Sequence, residues 1–190
     1  MKKFDALFLL ILISAGALLS VCGGAEKSEN VQNEETEAME MQEEERASPL
    51  KTAEGEIGGK TISVQYGAPS VKGRAIWGDL EAYGEVWRTG ANEATYLNFS
   101  DDVTVEGEAL PAGKYSLFTI PQKEGDWTVI FNSEWNLEHG HYQYKEENDV
   151  LRVKVTPEWL DTNQEQLLIS VEEPGLIVRW EKLKLPITIN

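Results

Sequence analysis

Cysteine and histidine are nearly missing from this chain of 190 residues. It has one cysteine, Cys22, and two histidines, His139 and His141. A single cysteine excludes an internal disulfide framework, so the folded part depends on its hydrophobic core. The sequence also lacks a Gly-x-Ser-x-Gly elbow, a phosphate-binding glycine loop followed by Lys and Ser or Thr, and a His-Glu-x-x-His helix. These absences argue against the common serine hydrolases, nucleotide-dependent enzymes and zinc proteases.

Positive charge is scarce. The chain has 17 Lys and Arg residues against 33 Asp and Glu residues, and its formal net charge is −16. Binding to nucleic acid depends on cation–phosphate contacts, and docking on anionic lipid likewise needs basic residues. We therefore expect no nucleic-acid partner and no docking on anionic lipid through the folded domain, and no pattern indicates a cofactor.

The longest apolar run is short and lies at the N-terminus. Residues 6–21 are apolar or small, follow Met1-Lys2-Lys3, and are too few to span a membrane. This pattern is typical of a secretory signal peptide, predicted over residues 1–21. Because Cys22 follows directly, the segment resembles a bacterial lipoprotein signal, in which that cysteine is lipidated. The sequence thus predicts a membrane-anchored lipoprotein of the bacterial cell envelope, facing the periplasm or the surface. Simple secretion with an idle cysteine is the alternative.

Two regions follow the signal. Residues 25–50 hold nine acidic residues, two basic ones and no aromatic ring. Such a composition cannot bury a core, so residues 22–50 are predicted to be the lipidated cysteine and a disordered acidic tether. Residues 51–190 contain all six tryptophans and all six tyrosines. Their number and composition predict one domain with its own core.

Within that domain, nearly every apolar segment alternates with a period of two. Ile62, Val64 and Tyr66 share one strand face, and residues 166–172 and 176–180 flank a Glu-Pro-Gly turn. About eight or nine short strands joined by tight turns predict an all-β, antiparallel β-sandwich, jelly-roll-like, with little helix. Single helical turns are expected at three places: residues 79–83, 134–138 and 157–160.

Four segments resemble a known family: Tyr66 to Arg74, Val86 to Thr95, Pro111 to Leu117, and Trp127 to Asn132. Together they are similar to exported bacterial proteins of domain of unknown function (DUF) 2911, and the Trp-Arg-Thr-Gly-Ala-Asn-Glu run is specific. The resemblance covers Lys60 to Ile189. It implies an exported β domain, but it carries no assigned activity, so no catalytic residue can be transferred.

A first candidate site lies in the irregular stretch between residues 66 and 99, which is rich in glycine and aromatic rings. Its candidate ligand-binding residues are Arg74, Trp87, Arg88, Asn92 and Glu93. Arginine offers a planar fork for anions, Trp stacks on rings, and Asn and Glu bind hydroxyl groups. The set suits a polar ligand such as a glycan or a peptide. The structural alternative is that Arg88 pairs with Glu93 or Asp79 while Trp87 fills the core.

A second candidate is the pair His139 and His141. On a strand, residues i and i+2 point the same way, so the two imidazoles could share a metal ion. A carboxylate such as Glu93 or Glu134 would have to complete the site. The pair could also act with Glu93 in acid–base catalysis. The simpler interpretation is two solvated loop histidines.

The third candidate is a surplus of rings outside periodic segments: Tyr83, Trp135, Tyr142 and Tyr144. Exposed rings on the loops of β-sandwiches stack on sugars in carbohydrate-binding modules. The alternative is that Tyr142 and Tyr144 form one face of an edge strand.

The sequence is consistent with three functions, of which the first is preferred and the other two are alternatives. The first is an exported, lipid-anchored, non-enzymatic binding module for a glycan or peptide. The second is a metal-dependent or acid–base hydrolase that uses His139, His141 and Glu93. The third is a structural protein–protein interaction domain.

Overall fold

A computed structural model describes residues 46–190. The predicted signal peptide, Cys22 and most of the predicted acidic tether lie outside these residues. Ten strands and two short 3₁₀ helices, Gly140–Gln143 and Glu146–Asn148, make up the described part. The strands are β1 (Leu50–Ile57), β2 (Lys60–Gly67), β3 (Tyr96–Phe99), β4 (Val103–Val105), β5 (Glu108–Leu110), β6 (Gly113–Ile120), β7 (Trp127–Asn132), β8 (Asp149–Val155), β9 (Glu158–Glu172) and β10 (Gly175–Thr188).

Six strands form one antiparallel sheet in the order β1-β2-β3-β6-β7-β8. The register places apolar residues opposite one another, as in the pairs Ile62–Phe99 and Leu117–Phe131. Alternate residues of β2 are fully buried, as the period of two predicts. This sheet therefore turns one continuous apolar face toward the main core.

The second layer consists of two hairpins, β4-β5 and β9-β10. They are joined because Thr104 and Asn190 exchange two backbone hydrogen bonds of 2.8 and 3.0 Å. Buried side chains of both hairpins, such as Val105 and Ile169, pack in one core with those of the large sheet. The all-β sandwich predicted from the sequence is confirmed, with ten strands in place of eight or nine.

A small second core covers the opposite face of the large sheet. Phe118 and Ile130 are fully buried there, against Ala94, Leu137 and Tyr144. Strand β7 is consequently buried on both faces along its whole length. The loop before β3 and the segment after β7 are thereby held on the same side of the sheet, where the candidate site lies.

Several local expectations were wrong. Strand β1 was not predicted, because its residues alternate with glycine and glutamate and show little apolar signal. Residues 157–160 do not form a helical turn; β9 begins at Glu158, and Trp159 pairs with Leu183 of β10. The segment around His139 and His141 forms a 3₁₀ helix rather than a strand. Within residues 46–190, no helix has the length and apolar character needed to cross a membrane.

Candidate functional site

Trp87 belongs to the core and not to the surface. It is 2% exposed, stacks on Trp180 at 5.6 Å between ring centroids, and meets the edge of Trp77 at 5.5 Å. Trp127 and Trp159 extend this aromatic cluster through further contacts with Trp77. Trp87 therefore fills the core, as the structural alternative predicted. A fully buried indole presents no ring face to a ligand.

The buried Trp87 anchors the loop that follows it. Its backbone exchanges two hydrogen bonds with Thr119 of β6, at 2.7 and 2.9 Å. The Thr89 hydroxyl donates to the Thr119 hydroxyl at 3.2 Å, and the Thr95 hydroxyl donates to the Thr89 carbonyl oxygen at 2.9 Å. The loop approaches the end of β2 closely at Gly67. A Cβ at that position would overlap the Ala91 carbonyl oxygen, so only glycine fits. Residues 88–93 are therefore held rigidly on the sheet.

A cleft of about 610 Å³ is lined by three segments of the chain, one of which is this loop. They are residues 46–48, the loop 88–93, and residues 138–142. The Ala94 N–H donates to the Leu137 carbonyl oxygen at 2.9 Å, which ties the second segment to the third. The cleft is lined by Arg46, Ala47, Ser48, Arg88, Asn92, Glu93, Glu138, His139 and Tyr142.

Arg88 is the central side chain of the cleft. Its Nη1 donates to the Asn92 carbonyl oxygen at 2.6 Å, and its Cζ lies 5.6 Å from the centroid of the Tyr142 ring. Gly140 has a φ of +53°, and a Cβ on it would lie 2.5 Å from Cδ of Arg88. The absence of a side chain at position 140 thus makes room for Arg88.

Glu93 pairs with Arg46, which lies in the segment predicted from the sequence to be the tether. Arg46 Nη2 lies 2.6 Å from Glu93 Oε2. The alternative in which Arg88 pairs with Glu93 or Asp79 was wrong, because Arg88 turns to Asn92 and Tyr142 instead. Arg46 was missed as a site residue, since nothing in an acidic, aromatic-free segment marks its single arginine as part of a site.

A smaller cavity of about 220 Å³ adjoins the cleft, and Arg88 and Asn92 line both. Arg74 lines its other side; Nε and Nη2 of Arg74 donate to the carbonyl oxygens of Val71 and Ser70 at 3.1 and 2.5 Å. Glu81 lines this cavity together with the two arginines. Its burial raises the pKa of its carboxyl group to about 7, although the positive charges of Arg88 and Arg74 act in the opposite direction.

The two histidines do not face the same way. His139 lines the cleft and is exposed, whereas Nδ1 of His141 is buried without a hydrogen-bond partner. Burial, and next the charge of Arg88, lower the pKa of His141, so its imidazole is neutral near pH 7. No three metal-ligating side chains converge in the described part of the chain. The predicted metal site assumed that His139 and His141 lie on one strand and point the same way. The 3₁₀ helix at this segment does not provide that arrangement.

A family model covers almost all of the described residues. Residues 48–189 match the model of a family described as proteins of unknown function, DUF2911. The chain belongs to the DUF2911 family. Neither the curated proteins nor the solved structures contain a significant match to it.

In this DUF2911 member, the four candidate aromatic rings have different surroundings. Trp135 packs on Tyr96 at 5.3 Å, and Tyr83 lies directly under Gly78. Tyr144 packs in the second core and donates a hydrogen bond of 2.7 Å to Asp149; burial is the main cause that raises its pKa to about 12. Tyr142, by contrast, is 79% exposed at the mouth of the cleft.

The structure thus brings together some of the predicted residues and separates others. Arg88, Asn92 and Glu93 share the cleft with His139, and Arg74 lines the smaller cavity together with Arg88. Trp87 lies in the core, and His141 is half-buried and does not line the cleft. Glu81 was missed, since a lone glutamate in a loop has no pattern that indicates burial.

Proposed function

We propose that this domain is a non-enzymatic binding module for a polar ligand, a glycan or a peptide, which occupies the cleft between residues 46–48, 88–93 and 138–142. One observation carries the proposal: the exposed ring of Tyr142 stands beside the fixed guanidinium of Arg88 at the mouth of a cleft. A ring for stacking and preorganised hydrogen-bond donors are the elements of a site for polar, ring-bearing ligands.

The rigidity of the cleft supports binding. The loop 88–93 is anchored to β6 by the hydrogen bonds between Trp87 and Thr119, and Arg88 is held in place by the Asn92 carbonyl oxygen. A side chain that is ordered before the ligand arrives loses little conformational entropy on binding. The hydrolase alternative has less support, because His139 and His141 point to different surroundings and His141 does not line the cleft.

The proposal includes the location of the protein. The apolar N-terminal run followed by Cys22 supports export and lipid anchoring in a bacterial envelope, with the acidic segment as a tether. Residues 46–48, which directly follow most of that acidic segment, form one wall of the cleft. A ligand of this site would accordingly be a component of the envelope or its surroundings.

Thermal denaturation of the full chain with a panel of glycans and peptides tests this function. A ligand that binds only the native state raises the midpoint by mass action. We expect the Tyr142→Ala variant to remain folded, because that ring is 79% exposed, and to lose the ligand-dependent shift. Val150→Ala, an exposed apolar position outside the cleft, is the matched control and should keep it.

Two results would contradict the proposal. A shift of equal size in Tyr142→Ala and in the wild type would place the ligand elsewhere. A flat response of the wild type to the whole panel would favour a structural or partner-binding role.

A further inference from the structure

Within residues 46–190, three of the five arginines form ion pairs with carboxylates, and two do not. Arg46 pairs with Glu93, Arg152 with Asp149 and Arg179 with Glu172, at N–O distances of 2.6, 2.6 and 2.7 Å. Among the residues that the structure describes, Arg74 and Arg88 have no carboxylate within 4.0 Å. Both line the same cavity of about 220 Å³.

The two unpaired guanidinium groups are fixed in place. Arg74 donates to the carbonyl oxygens of Val71 and Ser70, and Arg88 donates to that of Asn92. A guanidinium group has five N–H donors, so each arginine retains donors beyond those that hold it. Two positioned groups of this kind form a site for an anion, and its assembly needs little reordering of side chains.

The local charge also favours an anion, although the chain as a whole carries a formal charge of −16. Glu81 is the acidic group that lines this cavity, and its half-buried carboxyl group accepts no hydrogen bond within the described residues. The rest of the lining is mixed: Pro69, Leu80, Ala91 and Trp180 are apolar, and Ser48 and Asn92 are polar. Two permanent positive charges therefore face a single carboxyl group in this cavity.

We infer that this cavity binds a carboxylate group of the ligand, with Arg74 and Arg88 as its two binding residues. The inference rests on the proposed function and names the chemical group that the ligand carries. A singly charged, planar carboxylate fits better than a phosphate dianion, because Glu81 repels a second negative charge more strongly. When Glu81 is protonated, it can donate a hydrogen bond to the bound carboxylate.

NMR of the arginine Nε–Hε groups in the full chain tests the inference, because five arginines give five signals. The probes are propionate, glucuronate and acetyl-alanine; their matched neutral controls are propionamide, glucose and acetyl-alanine amide. We expect the carboxylates to shift the signals of Arg74 and Arg88 saturably, while those of Arg152 and Arg179 stay constant. The more effective of glucuronate and acetyl-alanine identifies a sugar or a peptide as the source of the carboxylate.

Three outcomes would overturn the inference. They are no saturable shift at Arg74 and Arg88, equal shifts at all five arginines, and equal effects of the neutral controls. Inorganic phosphate that saturates the same two signals at lower concentration than propionate would also refute the preference for a carboxylate.

The variant Arg74→Lys keeps the positive charge and removes the planar fork. Since Arg74 is exposed, we expect the variant to fold and its affinity for the effective carboxylate to fall about tenfold. Arg179→Lys, on the β9-β10 hairpin, is the matched control and should bind as the wild type does. Equal affinity in Arg74→Lys and the wild type would refute the role of Arg74.

This inference and the proposed function can fail separately. If a neutral glycan or peptide stabilises the wild type but not Tyr142→Ala, and carboxylates have no effect, the binding module stands and the inference fails. If carboxylates shift Arg74 and Arg88 while Tyr142→Ala has no effect on binding, the small cavity is a site and the proposed cleft is not.

Discussion

Replacing Glu81 with glutamine should change how the stability of the domain depends on pH. In the folded domain, burial raises the pKa of the Glu81 carboxyl group from 4.5 to about 7. The charged groups that face it are the guanidinium groups of Arg88 and Arg74, and they offset burial only in part. The folded protein therefore favours the protonated form of Glu81 more strongly than the unfolded chain does.

The sign of the effect follows from that difference. Below pH 4.5 the carboxyl group is protonated in both states, so its ionisation does not affect the free energy of unfolding. Between pH 4.5 and 7 the unfolded chain ionises first, and the free energy of unfolding falls as the pH rises. Above pH 7 the loss is constant, at most about 3 kcal/mol at 1.36 kcal/mol per unit of pKa. Partial exposure of Glu81 to solvent reduces this figure.

Urea denaturation of the full chain at pH 5.5 and pH 8 measures the effect. The quantity compared is the difference in unfolding free energy between Glu81→Gln and the wild type at each pH. The other carboxyl groups do not affect this difference, because both proteins contain them. We expect this difference to shift in favour of the variant by up to about 2 kcal/mol between the two pH values. Glu85→Gln, an exposed neighbour, is the control and should show the same difference from the wild type at both pH values.

The reasoning fails if Glu81→Gln differs from the wild type by the same amount at pH 5.5 and pH 8. It also fails if the variant loses stability, relative to the wild type, as the pH rises. Either result would mean that the folded domain does not favour the protonated carboxyl group.

Two further predictions concern the loops that build the site. Gly140→Ala should lower the free energy of unfolding by about 1–3 kcal/mol more than Gly58→Ala, because both glycines have positive φ but only Gly140 faces a neighbouring side chain; equal thermal midpoints would contradict this. Thr119→Val should cost about 1–3 kcal/mol in urea denaturation, because the buried Thr89 hydroxyl loses its acceptor. Adding Thr89→Val should recover part of that loss, whereas strictly additive losses would contradict the coupling.

The sequence predicted those strands in which apolar and polar residues alternate. The alternation of Ile62, Val64 and Tyr66 requires one buried face, and the Glu-Pro-Gly turn closes the β9-β10 hairpin as expected. It also placed Arg88, Asn92 and Glu93 together, because residues so close along one loop cannot separate far. The long β9 and the unpredicted β1 show the limit of this approach, because pairing with a neighbour can extend a strand through residues that have little apolar signal.

The sequence by itself determined the fold class, the loop that is specific to the family, and three polar residues of the cleft: Arg88, Asn92 and Glu93. Only the tertiary structure decided that Trp87 is buried while Tyr142 is exposed, although both rings lie in segments without periodicity. Trp87 is held in the core by backbone hydrogen bonds with Thr119 and by stacking on Trp180, and both residues are far away along the chain. The same holds for Glu81, which shares a cavity with Arg74 and Arg88 only because the loop folds back. In an irregular segment, side-chain direction is set by long-range contacts, and a local pattern does not encode them.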